Sequence, residues 1–203
     1  LYGRGLYNNQ STAFFNGGLF SSYRGDKYNM HFIFNNDNLK MRENGGITDD
    51  RYITDPLDMA EGKKQYSSTG IPTLFNKGWN HNTSNHVFLT HRYNVGFYKE
   101  RQDSISKDSI RIIEDFIPVT SFIHTLELDL NGRKYITQDN AQNQEYFENT
   151  FFGNDSIDND KRTSIRNTFG ISLLEGFNKW AKAGLTAFAT HEYRDFTLPD
   201  STD

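Results

Sequence analysis

The 203-residue chain has no cysteine, which excludes disulfides and thiolate metal sites and makes an oxidising compartment harmless. No window approaches the roughly 18 consecutive apolar residues of a membrane-crossing helix, and this says nothing against a β-barrel, which crosses with strands. Apolar residues are scarce, at 35%, below the usual globular share. No basic cluster stands out among the 22 basic and 26 acidic residues, so nucleic acid is not an expected partner. The opening LYGRGLYNN has no initiator methionine and no charged segment leading into an apolar core. An exported protein read from this point is expected to be mature or a fragment.

Aromatic residues, by contrast, are plentiful: 17 Phe and 11 Tyr, with 15% aromatic overall. Disordered chains are poor in such residues, so disorder explains this composition badly. A barrel with an apolar outer band and a wet interior needs both the rings and the polar majority.

The stretch Ser11 to Lys40 organises the reading. Two runs of period two flank Gly25-Asp26, the pattern of a β-hairpin with a two-residue turn. Pairing about that turn sets Tyr23 against Tyr28, Ser21 against Met30, Leu19 against Phe32, Gly17 against Phe34 and Ala13 against Asn38 on a largely apolar face. The other face carries Arg24, Ser22, Phe20, Gly18, Asn16 and Phe14 opposite Lys27, Asn29, His31, Ile33, Asn35 and Asp37. A tyrosine pair at the turn end and Phe34 over Gly17 fit a membrane barrel. A soluble sandwich hairpin with one buried face fits these residues about as well.

Further along, residues 1 to 10 read as the end of a preceding strand, and Met41 to Thr83 as a long polar connection punctuated by Gly and Pro. Such a connection is uncommon in a compact soluble domain and ordinary on the outer side of a barrel. His86 to Tyr98 alternates, as does the stretch after Pro118-Val119, where Thr120, Phe122, His124, Leu126, Leu128 and Leu130 share one face. The charged run from 99 to 117 lies between them, and IRIIEDFI within it extends the flanking strands. A second long polar segment runs from Asn131 to Arg162, acidic at NDSIDNDK. Ser164 to Leu174 and Trp180 to about Phe196 then form a hairpin turning at Phe177-Lys179, with Leu173 facing Ala183. Six strands cannot close a barrel of the conventional minimum of eight, so residues 1–203 are expected to form one partial, all-β antiparallel barrel domain.

Motifs for covalent chemistry are missing: no G-x-S-x-G, H-E-x-x-H or P-loop occurs. His81, His86 and His91 recur every five residues, which on a strand sends successive members to opposite faces and prevents convergence on one ion. Asn154-Asp155 and Asp158-Asn159-Asp160 lack the glycine and distal glutamate of an EF-hand loop, and read as a solvated tip. Glu127 and Asp129 share a face, as paired acid-base carboxylates would, but without an apolar neighbourhood they read as a polar wall. Arg24-Gly25-Asp26 is explained by the turn. Neither enzyme activity nor a cofactor or metal is therefore expected.

The GLYNNQ start, FNGGLFSSYRGDKYNMHFIFNNDN, ENGGITDDRYITDP, TGIPTLF, NHVFLTHRYNVGF and RNTFGISL together resemble the Putative porin family of Bacteroidota outer membranes, over nearly the whole chain. The resemblance implies a single-chain outer-membrane β-barrel that acts as a solute channel, with lipid around it and small polar solutes inside. By parity the inward candidates are Asp37, Arg92, Glu127, Asp129, Arg166 and Lys182, with Asn16, Asn29 and Asn35 between them. The apolar part of the first long connection, Thr69 to Trp79, is expected either to narrow the mouth or to pack on its neighbour. The rival expectation is a secreted or surface-anchored β-sandwich that binds glycans through exposed aromatics. Strand number, solute and oligomeric state stay open.

Overall fold

In a computed structural model the chain forms one antiparallel meander of seven strands in the order β1-β2-β3-β4-β5-β6-β7. The structure describes residues 1–61, 63–106, 109–138, 157–173 and 184–198, with backbone alone between 102 and 111. The strands are β1 (Tyr2–Arg4), β2 (Ser11–Arg24), β3 (Tyr28–Glu43), β4 (Gly78–Ser106), β5 (Ser109–Thr137), β6 (Ile157–Leu173) and β7 (Leu185–Thr197). No pairing joins β7 back to β1 among the described residues, so the sheet is open, as a segment of a larger barrel would be. The seventh strand is the short N-terminal one, whose Tyr2–Arg4 pair with Ser11–Ala13.

Alternation assigns each strand two faces, and the ladder keeps them consistent across the sheet. One face carries Leu19, Phe34, Val87, Leu128 and Ile165; the register aligns the first pair directly and the last three in a row. Its large side chains are uncovered: Phe15 is 63% exposed, Leu19 61%, and Phe169 58%. The opposite face is mostly polar, with Phe20, Ile33, Phe188 and Phe196 exposed on it, and there Asn94, Ser121, Ser164 and Ser172 are buried. Side chains crowd together on the concave side of a curved sheet and splay apart on the convex side, so the polar face is concave and the apolar face convex. A sandwich would cover its apolar face with a second sheet, and the described residues form only one.

Three details of register differ from the sequence reading. Leu19 faces Phe34 and Tyr23 faces Met30, because the turn centres on Asp26-Lys27, with the Gly25 amide donating to the Tyr28 carbonyl at 2.9 Å. Phe34 therefore does not cover Gly17; Phe15, two residues along the same strand, lies 3.3 Å from where a Cβ on Gly17 would sit. The last hairpin is likewise displaced by two, with Leu173 opposite Leu185 and Ile171 opposite Ala187. Residues 174–183, the expected turn at Phe177 to Lys179 among them, lie outside the described residues. A shift of two preserves every facing.

The charged run after Tyr98 is largely strand. β4 and β5 continue past their neighbours as a two-stranded ribbon, interrupted by a bulge at Val95/Gly96. The bulge needs glycine, because a Cβ at Gly96 would collide with the Ile117 carbonyl. At the opposite end of the sheet, the connection after β3 folds over two one-turn helices, α1 (Arg51–Thr54) and α2 (Pro56–Met59). Here lie Ala60, Ile71 and Phe75, three of the four buried hydrophobic residues described. The Phe75 ring sits 2.7 Å from the place of a Cβ on Gly45, which takes φ +68°, a conformation glycine adopts without strain. Ile47 bridges Thr73, so the 69–79 segment packs on its own connection rather than standing free. Arg51 donates to Asp49 through side chain and backbone and holds that carboxyl below its ordinary value.

Candidate pore lining

The concave face collects the polar side chains that alternation sends inward, and strand neighbours pair them. On β5 and β6, Arg166 Nη1 donates to Glu127 Oε2 at 3.0 Å, and across to β7 its Nη2 donates to Glu192 Oε1 at 3.3 Å. Arg194 Nε reaches the same Glu192 oxygen at 2.6 Å. One row toward the long connections, His86 Nδ1 lies 2.7 Å from Asp129 Oδ1 across β4 and β5. Acid and base therefore alternate along the wall, Glu127, Arg166, Glu192 and Arg194, each partly open to water.

Arg92 sits nearer the turn end. Its Nε donates to Asn94 Oδ1 at 2.8 Å and its Nη2 to Ser121 Oγ at 2.8 Å, while Asn94 Nδ2 donates to the Asp26 carbonyl at 3.0 Å. The guanidinium is thus tied to the base of the first hairpin. Asp37, on β3, accepts from Asn16 at 2.5 Å and from Asn35 at 3.0 Å. A hollow of about 350 Å³ opens beside it, lined by Phe14, Asp37, Asn82, Asn131 and Arg133.

Asp37, Arg92, Glu127, Asp129 and Arg166 all fall on this one face, while Lys182 lies outside the described residues. Arg166 stands beside Glu127 rather than across a lumen from it, so that pair sets no field between opposite walls. Glu192, Arg194 and His86 belong to the same wall and were not among the sequence candidates; the parity that placed Arg166 inward places them inward too. The three histidines behave as their spacing predicts, with His81 bonded to Asn38 at 2.8 Å on the convex face, His86 inward, and His91 convex again. Asp158 and Asp160, from the acidic stretch, lie beside Arg133 at 3.8 and 3.3 Å, and Asn154-Asp155 lie outside the described residues. Among the described residues no group of three or more His, Asp or Glu side chains could hold a metal ion.

The convex face carries most of the sheet's aliphatic side chains, with tyrosines at the turn end. Tyr23 and Tyr28 stand with ring centroids 6.0 Å apart at the turn end, and Tyr93 pairs with Tyr28, the place of an interfacial girdle. From Thr120 to Leu130 is ten strand steps of about 3.4 Å, and at a tilt of about 40° that spans about 26 Å, the height of a barrel's apolar band. Toward the long connections the face turns polar at Asn36, which bonds to Asn85 at 2.7 Å.

No curated protein and no solved structure showed significant similarity to the chain. The sequence model of a family described as Putative porin matches residues 1–202, and the chain belongs to that family.

Proposed function

We propose that the chain is the wall of an outer-membrane channel for passive diffusion of small hydrophilic solutes, without covalent chemistry. The observation that carries this is the division of a single sheet into an uncovered apolar convex face and a hydrogen-bonded polar concave face. Lipid meets the first and water fills the second. Asp37, Arg92, Glu127, Asp129 and Arg166 line the water, joined by Glu192 and Arg194. By the rule that bacterial barrels keep short turns in the periplasm, the Asp26-Lys27 turn is periplasmic and the 44–77 connection external.

The paired charges bear on what passes. Where Glu127 and Glu192 share Arg166 and Arg194 the wall has little net field of one sign, so at that level it orients polar solutes without selecting strongly for ion charge. The full-length protein, expressed with its native signal, should fractionate with the outer membrane, migrate differently when unheated, and give conductance in planar bilayers. A soluble product with unchanged migration would end the channel reading, and a closed barrel without conductance would end the diffusion part of it.

A further inference from the structure

Charge is divided between the two faces of the sheet as sharply as apolarity is. On the concave face cations and carboxylates are interleaved, Arg166 and Arg194 with Glu127 and Glu192, and Arg133 with Asp158 and Asp160. On the convex face, beyond the apolar band toward the long connections, the strands present basic groups. Lys40 on β3, His81 on β4 and Lys134 on β5 stand in one row. Lys161 on β6 follows one row nearer the band, opposite Gly132, and Arg42 stands one row farther out, over the Trp79 ring. Lys40, Lys134 and Lys161 have no ion pair among the described residues. The one strand carboxylate described on their side of this face, Asp195 on β7, stands a row nearer the band, opposite Thr163.

A wet rim does not call for one sign of charge, and like charges gathered on neighbouring strands repel. An anion held between them turns that repulsion into attraction. The height of the basic group indicates where such an anion sits. Lys161 is two strand steps past Leu130 and Lys134 four, about 5 and 10 Å along a barrel axis at a strand tilt of about 40°. The polar headgroup layer of a bilayer starts at the edge of the hydrocarbon and is about 5–8 Å deep on each side, within reach of lysine side chains that lay their stems along apolar surface. The other rim differs: the row Tyr28, Tyr93, Phe122 and Ile171 at the turn end carries no charge.

We propose that Lys40, His81, Lys134 and Lys161 form a binding site for the phosphate of an anionic lipid in the leaflet nearer the long connections, an inference that rests on the channel reading above. Across β4 the backbones of Lys40 and Lys134 are about 10 Å apart, so two ammonium groups close on one phosphate from either side, with the imidazole between them. Each ammonium is a flexible point charge with three donors, and a phosphate supplies strong acceptor oxygens for them. A free anion gains only this charge. A lipid phosphate is also carried to this height by its own acyl chains on the apolar band below, and solutes in the lumen are separated from the site by the sheet itself.

The test uses the full-length protein in detergent micelles, with native mass spectrometry to count bound lipid and phosphatidic acid as the probe. Phosphatidic acid should bind, and diacylglycerol with the same chains, which lacks the phosphate, should not. Each lysine contributes about fivefold to affinity for an anionic surface, so Lys40→Gln/Lys134→Gln/Lys161→Gln should weaken binding about a hundredfold. Lys40→Arg/Lys134→Arg/Lys161→Arg keeps the charge and should hold affinity within about threefold. Lys40 is exposed, and Lys40→Gln alone should weaken binding about fivefold, which keeps the test open where the triple variant fails to give the heat-modifiable band. No binding by the parent, equal binding by the glutamine variants, equal binding of diacylglycerol, or displacement of the lipid by glycerol phosphate at the same concentration overturns the proposal, the last by making this a site for free phosphate esters. The channel reading survives each of these, since the glutamine variants should conduct as the parent does. A parent protein with neither heat-modifiable migration nor conductance overturns both.

Discussion

At the scale of single residues, the glycines separate by what surrounds them. Gly96 sits at a bulge where any Cβ meets the Ile117 carbonyl, while Gly3 has nothing within 4 Å. Gly96→Ala is therefore expected to destabilise the folded protein by about 1–3 kcal/mol, the range for forcing atoms into filled space, and Gly3→Ala by less than about 0.5 kcal/mol. Urea unfolding in lipid vesicles, followed by the heat-modifiable band, measures both. The charged wall gives a second prediction at this scale. Arg166 lies between Glu127 and Glu192, so Arg166→Gln removes one positive charge and leaves Glu127 without its cation, while Glu192 keeps Arg194, and should shift the reversal potential toward cation selectivity. Glu192→Gln should move it the other way. Equal shifts of one sign, or none, would remove these residues from the conducting path.

At the scale of strands and hairpins, facing was legible in the sequence and register was not. Alternation of apolar and polar residues fixes which side each residue takes, and Asp37, Arg92, Glu127, Asp129 and Arg166 all came out on one side. A displacement of two residues changes no facing, so the pattern could not tell Leu19–Phe32 from Leu19–Phe34. Only turn chemistry separates them, and Gly25 drew the turn one position early; the glycine instead precedes the turn and donates its amide across it. His91 and His124 were legible on the apolar faces of two strands, but their bond to each other and on to Asn167 needs the register of two strand pairs. Paired cysteines test that register. Leu19→Cys with Phe34→Cys should oxidise to a disulfide, and Leu19→Cys with Phe32→Cys should not. The β4–β5 ribbon offers a further test. Past Asn94 and Thr120 no third strand flanks it among the described residues, and a two-stranded ribbon is marginal in water. Amides at 97–101 and 112–117 are expected to exchange with deuterium faster than those at 80–92 in the same strands; uniform protection would mean that another element covers the ribbon.

At the scale of the whole molecule, stability cannot come from a buried core in the usual sense. Among the described residues the strands contribute only Tyr135 to the buried hydrophobic side chains, and Ala60, Ile71 and Phe75 gather in the connection after β3. On the channel reading proposed above, what a soluble domain gains by covering its apolar residues this sheet gains by meeting lipid on its convex face. The two faces must then differ sharply in what they tolerate. Leu89, midway up the band between Phe32 and Leu126, should not accept a charge: Leu89→Arg is expected to cost about 2–4 kcal/mol, the penalty for a guanidinium near the midplane of a barrel's lipid face. Thr90, its neighbour, points into the concave face and pairs with Thr125 at 2.9 Å. Thr90→Arg gives up one weak hydroxyl contact and should cost about 1 kcal/mol or less. Folding yields into vesicles, read from the unheated band, compare the two at equal concentration. A large penalty at Leu89 with a small one at Thr90 follows only if hydrocarbon lies on the convex side and water on the concave side. Equal tolerance would place water on both faces, and the reverse order would turn the sheet inside out.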